Sequence, residues 1–161
     1  MDHPILDTGY IIAYALAEKA KENNSKSALI TFKPLPKIFF ARKNFELLTI
    51  YKKIEILKEL NVDYMILLRF NDSLISMSSK DFIEEILIKK LNISSLTVGH
   101  DFKFGKNQSG SVSDLQDYAH KGFFTLNVEE KHSIAGERIS SSSIRDYIMQ
   151  NNFTFSKSTL F

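Results

Sequence analysis

Apolar residues recur along the chain in two alternating rhythms. Ile12, Leu16 and Ala20, with Ala13 and Ala17 beside them, keep helical spacing until Asn23 and Asn24, which predicts a first helix. Ser27–Phe32 (SALITF) is a continuous apolar run stopped by Lys33-Pro34-Leu35-Pro36. Proline continues neither a helix interior nor a central strand, so this segment predicts a strand followed by a loop. Thr49 offers a cap to a helix carrying Ile50, Ile54 and Leu57, and Tyr64–Phe70 (YMILLRF) reads as a buried strand. Ser78 or Ser79 opens the next helix, with Phe82, Ile83, Ile86, Leu87 and Leu91 on one face, and Ser95–Gly99 (SLTVG) is the next strand. A helix over Ser113–Lys121 ends at Gly122, a strand follows over Phe123–Val128, and a last helix begins in the serine run at 140–143.

Helices and strands alternating with short connections predict an α/β fold, a doubly wound and mostly parallel sheet, because parallel strands need crossover helices. With 161 residues, 43% of them hydrophobic, and no internal repeat, the chain reads as a single domain, 1–161. Ligands of such sheets bind beyond the carboxyl ends of the strands. That rule selects the loops Lys33–Lys37, Asn71–Ser78, His100–Gly110 and Ala135–Arg145.

A formal charge of +2, from 21 Lys and Arg against 19 Asp and Glu, gives no basic face for nucleic acid. The absence of cysteine excludes a disulfide framework, a thiolate metal site and a cysteine nucleophile, and fits a reducing compartment, so the expected location is cytoplasmic. No apolar run approaches the roughly 20 residues that span a bilayer, so no membrane partner is expected. Nothing in the pattern sets an oligomeric state.

Two segments hold most of the chemistry. In Ile139-Ser140-Ser141-Ser142-Ser143-Ile144-Arg145, hydroxyls at a helix start lie beside unpaired backbone N–H groups and a planar cation, a combination suited to phosphate. The competing reading is a serine cap with its neighbours solvated. In Val98-Gly99-His100-Asp101-Phe102-Lys103-Phe104-Gly105, a strand ends in glycine and is followed by an acid, two aromatics and a second glycine. Such a loop lets a ligand approach the backbone between apolar walls. Alternatively, Phe102 and Phe104 anchor the loop inward and Asp101 makes an Asx turn.

Taken in order, Thr31-Phe32-x-Pro34-x-Pro36, Phe70-Asn71, Val98-Gly99-x-Asp101-Phe102-x-Phe104-Gly105 with Gly110 behind it, and Ile139-Ser140-Ser141-Ser142-x-Ile144-Arg145 resemble the FMN adenylyltransferase module of bacterial bifunctional FAD synthases. The resemblance extends from about Gly9 to Asn151 and takes in KKIEILKELNVDYMILLRFN and LISMSSKDFIEEIL. It implies a Rossmann-like fold of nucleotidyltransferase type and transfer of AMP from ATP to FMN, giving FAD and pyrophosphate, with Mg2+ as helper. It further implies that Ser141, Ser142 and Arg145 hold ATP phosphates. Gly99, Asp101, Phe102 and Gly105 would shape the nucleotide and flavin pocket beside Thr31, Pro34 and Asn71, with Gly9 at the start of the phosphate site. No residue is expected to be a resident metal ligand.

The chain departs from that family at Asp7-Thr8-Gly9-Tyr10. Gly9 is kept, but Asp7 and Tyr10 stand where the family has histidines that stabilise charge on the ATP phosphates. Loss of one preorganised donor costs roughly 10²–10³ in rate. Too few residues precede this point to form the family's opening strand, whose absence should expose neighbouring strand edges. Leu35 replaces a histidine between the prolines. The residues after Asn151 leave no room for the riboflavin kinase module, so FMN would be supplied from elsewhere. The alternative to a working adenylyltransferase is a catalytically decayed member that keeps the fold and nucleotide or flavin binding. His3, His100, His120 and His132 lack zinc-site spacing, and Asp81, Glu84 and Glu85 read as a solvated helix face. Phe153, Phe155 and Phe161 read as tail residues covering the sheet.

Overall fold

The computed structural model describes residues 16–41 and 49–130. The predicted start of the first helix, the helix in the serine run and the aromatic tail lie outside the described residues. By internal contacts the chain divides between Leu68 and Arg69 into two compact units.

In the first unit, α1 (16–22) ends where Asn24 takes a left-handed φ of 50°. Then come β1 (Ala28–Lys33), α2 (Pro36–Ala41), α3 (Ile50–Glu59) and β2 (Tyr64–Arg69), with β1 paired to β2. Thr49 caps α3 as expected, its side chain accepting from Lys52 N at 3.3 Å. Ala17, Leu57, Leu60 and Val62 form the core, with Leu29, Ile56 and Met65 packed on it. At the start of both strands, Ser27 and Asp63 bond reciprocally. The Ser27 N–H and hydroxyl donate to Asp63 Oδ2 at 2.9 and 3.0 Å, and Asp63 N donates to Ser27 Oγ at 3.0 Å. Lys26 Nζ donates to the other carboxylate oxygen at 2.7 Å. The Lys26 bond first, then the two donors of Ser27, lower the Asp63 carboxyl to about 2.

Two expectations change here. The loop Lys33–Lys37 is shorter than predicted, because Pro36 opens α2. At the first position of a helix the missing N–H is not needed and the fixed φ suits the turn. β2 is not buried, with Tyr64 57% and Leu67 46% exposed. A continuous apolar run does not say how many faces of a strand are covered.

The second unit contains α4 (Asp72–Ser76), α5 (Ser79–Asp81) continuing as a π-helix (Phe82–Lys90), β3 (Ser95–Gly99), a 3-10 turn (Lys106–Gln108), α6 (Val112–His120) and β4 (Thr125–Glu129). β3 and β4 are parallel, in register from Ser95 opposite Thr125 to Gly99 opposite Glu129, and α6 lies in the crossover between them. Ile83, Leu87 and Leu115 are fully buried among Phe82, Ile86, Val98, Phe104 and Phe124. Ser78 caps α5, accepting from Asp81 N at 3.0 Å. At the start of α6, the Asp114 carboxylate accepts from both the N–H and the hydroxyl of Ser111, at 2.7 and 2.9 Å. Gly122, at φ +82°, follows the end of α6 as the sequence predicts. The apolar pattern does not foretell the π-helical hydrogen bonds, such as Leu91 N to Ile86 O at 3.0 Å.

Candidate functional site

The sequence-predicted site residues fall into three groups. Gly9, Ser141, Ser142 and Arg145 lie outside the described residues, as do Asp7, Tyr10 and the loop Ala135–Arg145. Thr31 and Pro34 belong to the first unit: Thr31 is half-buried within β1, and Pro34 follows the strand's last residue. Asn71, Gly99, Asp101, Phe102 and Gly105 belong to the second, the last four lying at the end of β3 and in the loop beyond it.

The β3–β4 ladder continues one residue past Gly99, with His100 N donating to Glu129 O at 3.0 Å. A turn follows, closed by Phe102 N to Gly99 O at 3.0 Å. Asp101 is exposed, and its carboxylate bends back over Gly99, where an added Cβ would meet Asp101 Oδ1 at 3.5 Å. That is an ordinary contact, so packing does not require glycine at position 99. Small size there leaves the backbone open to a ligand.

The two aromatics divide the alternatives left open by the sequence. Phe104 is 7% exposed and acts as the inward anchor, its ring 5.5 Å from that of Phe82. Phe102 stacks on the outer side of Phe104 at 5.5 Å and 20°, and is only half-buried. Three rings thus run in series from the helix core to the loop. Offset stacking of this kind fixes ring orientation as well as burying apolar area.

Beyond Phe104 the loop closes on itself. Phe104 N and Gly110 N each donate to the other residue's carbonyl, at 3.2 and 2.9 Å. Lys106 N reaches Met77 O at 2.8 Å, so the loop is fastened to the segment leading into α5. Gly105 has φ +72°, and a Cβ there would stand 2.7 Å from Ser79 N and 2.8 Å from Ser79 Cα. A Cβ on Gly110 would meet Ser79 Cβ and the Phe104 ring at 2.7 Å. Both glycines are therefore required by close packing. Sequence reasoning missed this role of Ser79 because its partners lie far along the chain and no periodicity connects them.

Asn71, expected in a loop, instead caps α4, its Oδ1 accepting from Leu74 N at 3.1 Å. The cap satisfies an N–H that would otherwise lack a partner, and a helix rather than a loop therefore begins at Asp72. α4 touches the Lys106–Gln108 turn, bringing the Asn71 helix beside the glycine loop. The acidic helix face is solvated at Asp81 and Glu85, as expected, and engaged in a part-buried bond at Glu84. Glu84 accepts from the Tyr118 hydroxyl at 2.7 Å, and Glu85 pairs with Lys89. The Glu84 bond, then burial, pushes the Tyr118 phenol up to about 12. Asp81 accepts from the Ser78 hydroxyl at 2.7 Å.

An open cleft of about 640 Å³ lies at the other end of the strands, lined by residues including Ser94, Gln116, His120 and Phe123. None of the predicted residues that are described reaches it. Among the described residues no three His, Asp or Glu side chains gather as a metal site, and no helix is long and apolar enough to cross a membrane.

Comparison with known proteins places this geometry in context. The chain is similar to the bifunctional riboflavin kinase/FMN adenylyltransferase of Buchnera aphidicola subsp. Schizaphis graminum, 34% identical over 145 residues, covering 87% of this chain and 46% of that protein. It is 29% identical over 147 residues to the protein of the same name from Escherichia coli K12, covering 90% of this chain and 47% of that one. The chain thus spans about half the length of the curated relatives it matches. Among solved structures, the crystal structure of a macrolide-efflux protein from Streptococcus pneumoniae superposes with a TM-score of 0.74 at 22% identity, over 91% of this chain and 49% of that chain. The fold is mixed α/β with β3 and β4 parallel, as expected from the sequence, and among the described residues the strands pair as two two-stranded sheets, β1 with β2 and β3 with β4, rather than as one doubly wound sheet. A family model described as FAD synthetase matches residues 10–143, which take in both the glycine loop after β3 and the serine run, and the chain belongs to the FAD synthetase family.

Proposed function

We propose that the protein transfers the adenylyl group of ATP to FMN, giving FAD and pyrophosphate. An FMN phosphate oxygen attacks the α-phosphorus of ATP in line, the bond from that phosphorus to the bridging oxygen breaks, and pyrophosphate leaves with the bonding electrons. No protein nucleophile is required. Catalysis of this kind rests on alignment and charge neutralisation.

In this reading Ser141 and Arg145 hold the ATP phosphates, with Ser142 adding a further hydroxyl. Gly99 leaves room for the ligand to approach the end of β3, Asp101 accepts hydrogen bonds from it, and Phe102 offers a ring face. Gly105 holds the loop's bend. The family resemblance also gives Thr31, Pro34, Asn71 and Gly9 as substrate-binding residues. Magnesium, when bound, neutralises phosphate charge and is carried chiefly by phosphate oxygens and water. The described residues do not by themselves build a cage for it, and no step is assigned to a protein-held ion.

The observation that carries this reading is the family match over residues 10–143, which covers the glycine loop after β3 and the serine run as far as Ser143. It is supported by the packing that leaves Phe102 half-buried and Asp101 exposed at a strand's carboxyl end. The test is calorimetric titration of the protein with FMN and, separately, with ATP plus Mg2+, followed by chromatographic assay for FAD. Binding of both with FAD formed is the expected result. Binding without product would leave a nucleotide- and flavin-binding member without turnover, and no binding would overturn the reading.

A further inference from the structure

We infer that Ser79, outside the glycine loop in sequence, is the residue on which that loop is seated, and that its size positions Asp101 and Phe102. Gly105 and Gly110 both face Ser79. The first leaves no space for a Cβ against the Ser79 backbone, and the second none against the Ser79 side chain and the Phe104 ring. The intervening turn is held to the same segment by Lys106 N on Met77 O. A side chain at position 79 larger than serine therefore lifts the Gly105–Gly110 segment. Phe104 is bonded to Gly110 through both backbone groups, so its ring moves with that segment. Phe102 is stacked on Phe104 and bonded to Gly99, so the displacement reaches the exposed part of the loop. Small displacements matter here: a misplacement of about 1 Å can cost roughly 10²-fold in rate.

The effect on ligand binding rests on the reading of this loop as part of the flavin and nucleotide site. The effect on loop geometry does not. The experiment compares Ser79→Val with Ser79→Ala, measuring FMN affinity and hydrogen exchange at the Phe102 and Gly110 amides. Ser79→Thr serves as the smaller enlargement should the valine variant fail to fold. Ser79→Ala keeps the Cβ and is the conservative variant, expected within about twofold of wild type by both readouts. Enlargement is expected to weaken FMN binding roughly tenfold or more and to speed exchange at both amides. In the double variant Ser79→Gly with Gly110→Ala, the contact of the added Cβ with Ser79 is relieved while that with the Phe104 ring remains, and protection is expected to exceed that of Gly110→Ala alone. If the wild type bound no FMN but exchange still responded to size at position 79, the functional reading would fail and the seating would stand. Unchanged exchange and affinity in the enlarged variant would overturn the inference, as would equal losses in the alanine variant.

Discussion

The Tyr118 hydroxyl donates to the Glu84 carboxylate at 2.7 Å, tying α6 to the π-helix across 34 residues of sequence. The Tyr118 ring also lies under Lys121 Nζ, 5.2 Å from the centroid, and 5.6 Å from the Phe123 ring. Tyr118→Phe keeps both ring contacts and removes only the hydroxyl. The expected cost is about 1 kcal/mol at neutral pH, read from urea unfolding. Because the folded phenol titrates near 12 rather than 10, this contribution is present below pH 10 and is lost as pH rises from 10 towards 12. The difference between wild type and variant should shrink over that window. A constant difference would show that the bond does not carry it.

Asp63 works in the opposite direction. Its folded carboxyl titrates near 2 instead of 3.8, so its stabilising contribution is present above pH 3.8 and disappears as pH falls towards 2. Asp63→Asn should unfold more easily than wild type at neutral pH and match it near pH 2. Acid titration followed by circular dichroism checks both halves of this statement.

The two glycines at either end of the motif should behave differently. Gly105→Ala forces a side chain into a φ of +72° against the Ser79 backbone and should cost about 1–3 kcal/mol. Gly99→Ala adds a Cβ at an ordinary 3.5 Å from Asp101 Oδ1 and should change stability by less than about 0.5 kcal/mol. A fall in FMN or ATP affinity in Gly99→Ala would then report ligand approach, because folding is spared. Calorimetry on the same sample as the unfolding curve separates the two effects.

Thr97 Oγ1 is buried within β3 and has no hydrogen-bond partner among the described residues. Replacing this hydroxyl by a methyl removes an unsatisfied group with little change in shape. Thr97→Val is therefore expected to stabilise the protein by about 1 kcal/mol in urea unfolding.

Restoring imidazoles at the departure from the family pattern gives a test of turnover. Under the proposed function, Asp7→His with Tyr10→His should raise FAD formation by roughly 10²–10³. An unchanged rate would mean that these positions do not face the phosphates.

What the sequence disclosed depended on how local each signal was. β3 was legible to the residue, because the serine before it and the glycine closing it bracket a short apolar run. The cap at Thr49 was legible for the same reason, and that of α5 to within one residue, Ser78 or Ser79. The π-helix was not. Phe82, Ile83, Ile86 and Leu87 are compatible with both 3.6-residue and wider turns, so a repeat so short cannot choose between them. α2 was hidden by Pro36, which marks a break or a helix start according to its position in the turn. Within the candidate site, the motif identified Phe102 and Phe104 together but could not assign one inward and one outward. That assignment depends on Phe82, 22 positions before Phe104 and in another element.

β1 shows no alternation in burial: five of its residues are half-buried and the last is exposed. A strand with no preferred face has little to stop it sliding along its neighbour, and a slip of one residue would turn every side chain over. The Ser27–Asp63 pair supplies what the hydrophobic pattern lacks. Its three hydrogen bonds form only when these two residues face each other, so the alignment of β1 with β2 is specified by polar chemistry at the strand entrance. Thr31 and Pro34 are therefore held at a fixed distance along the chain from an anchor that carries no ligand itself.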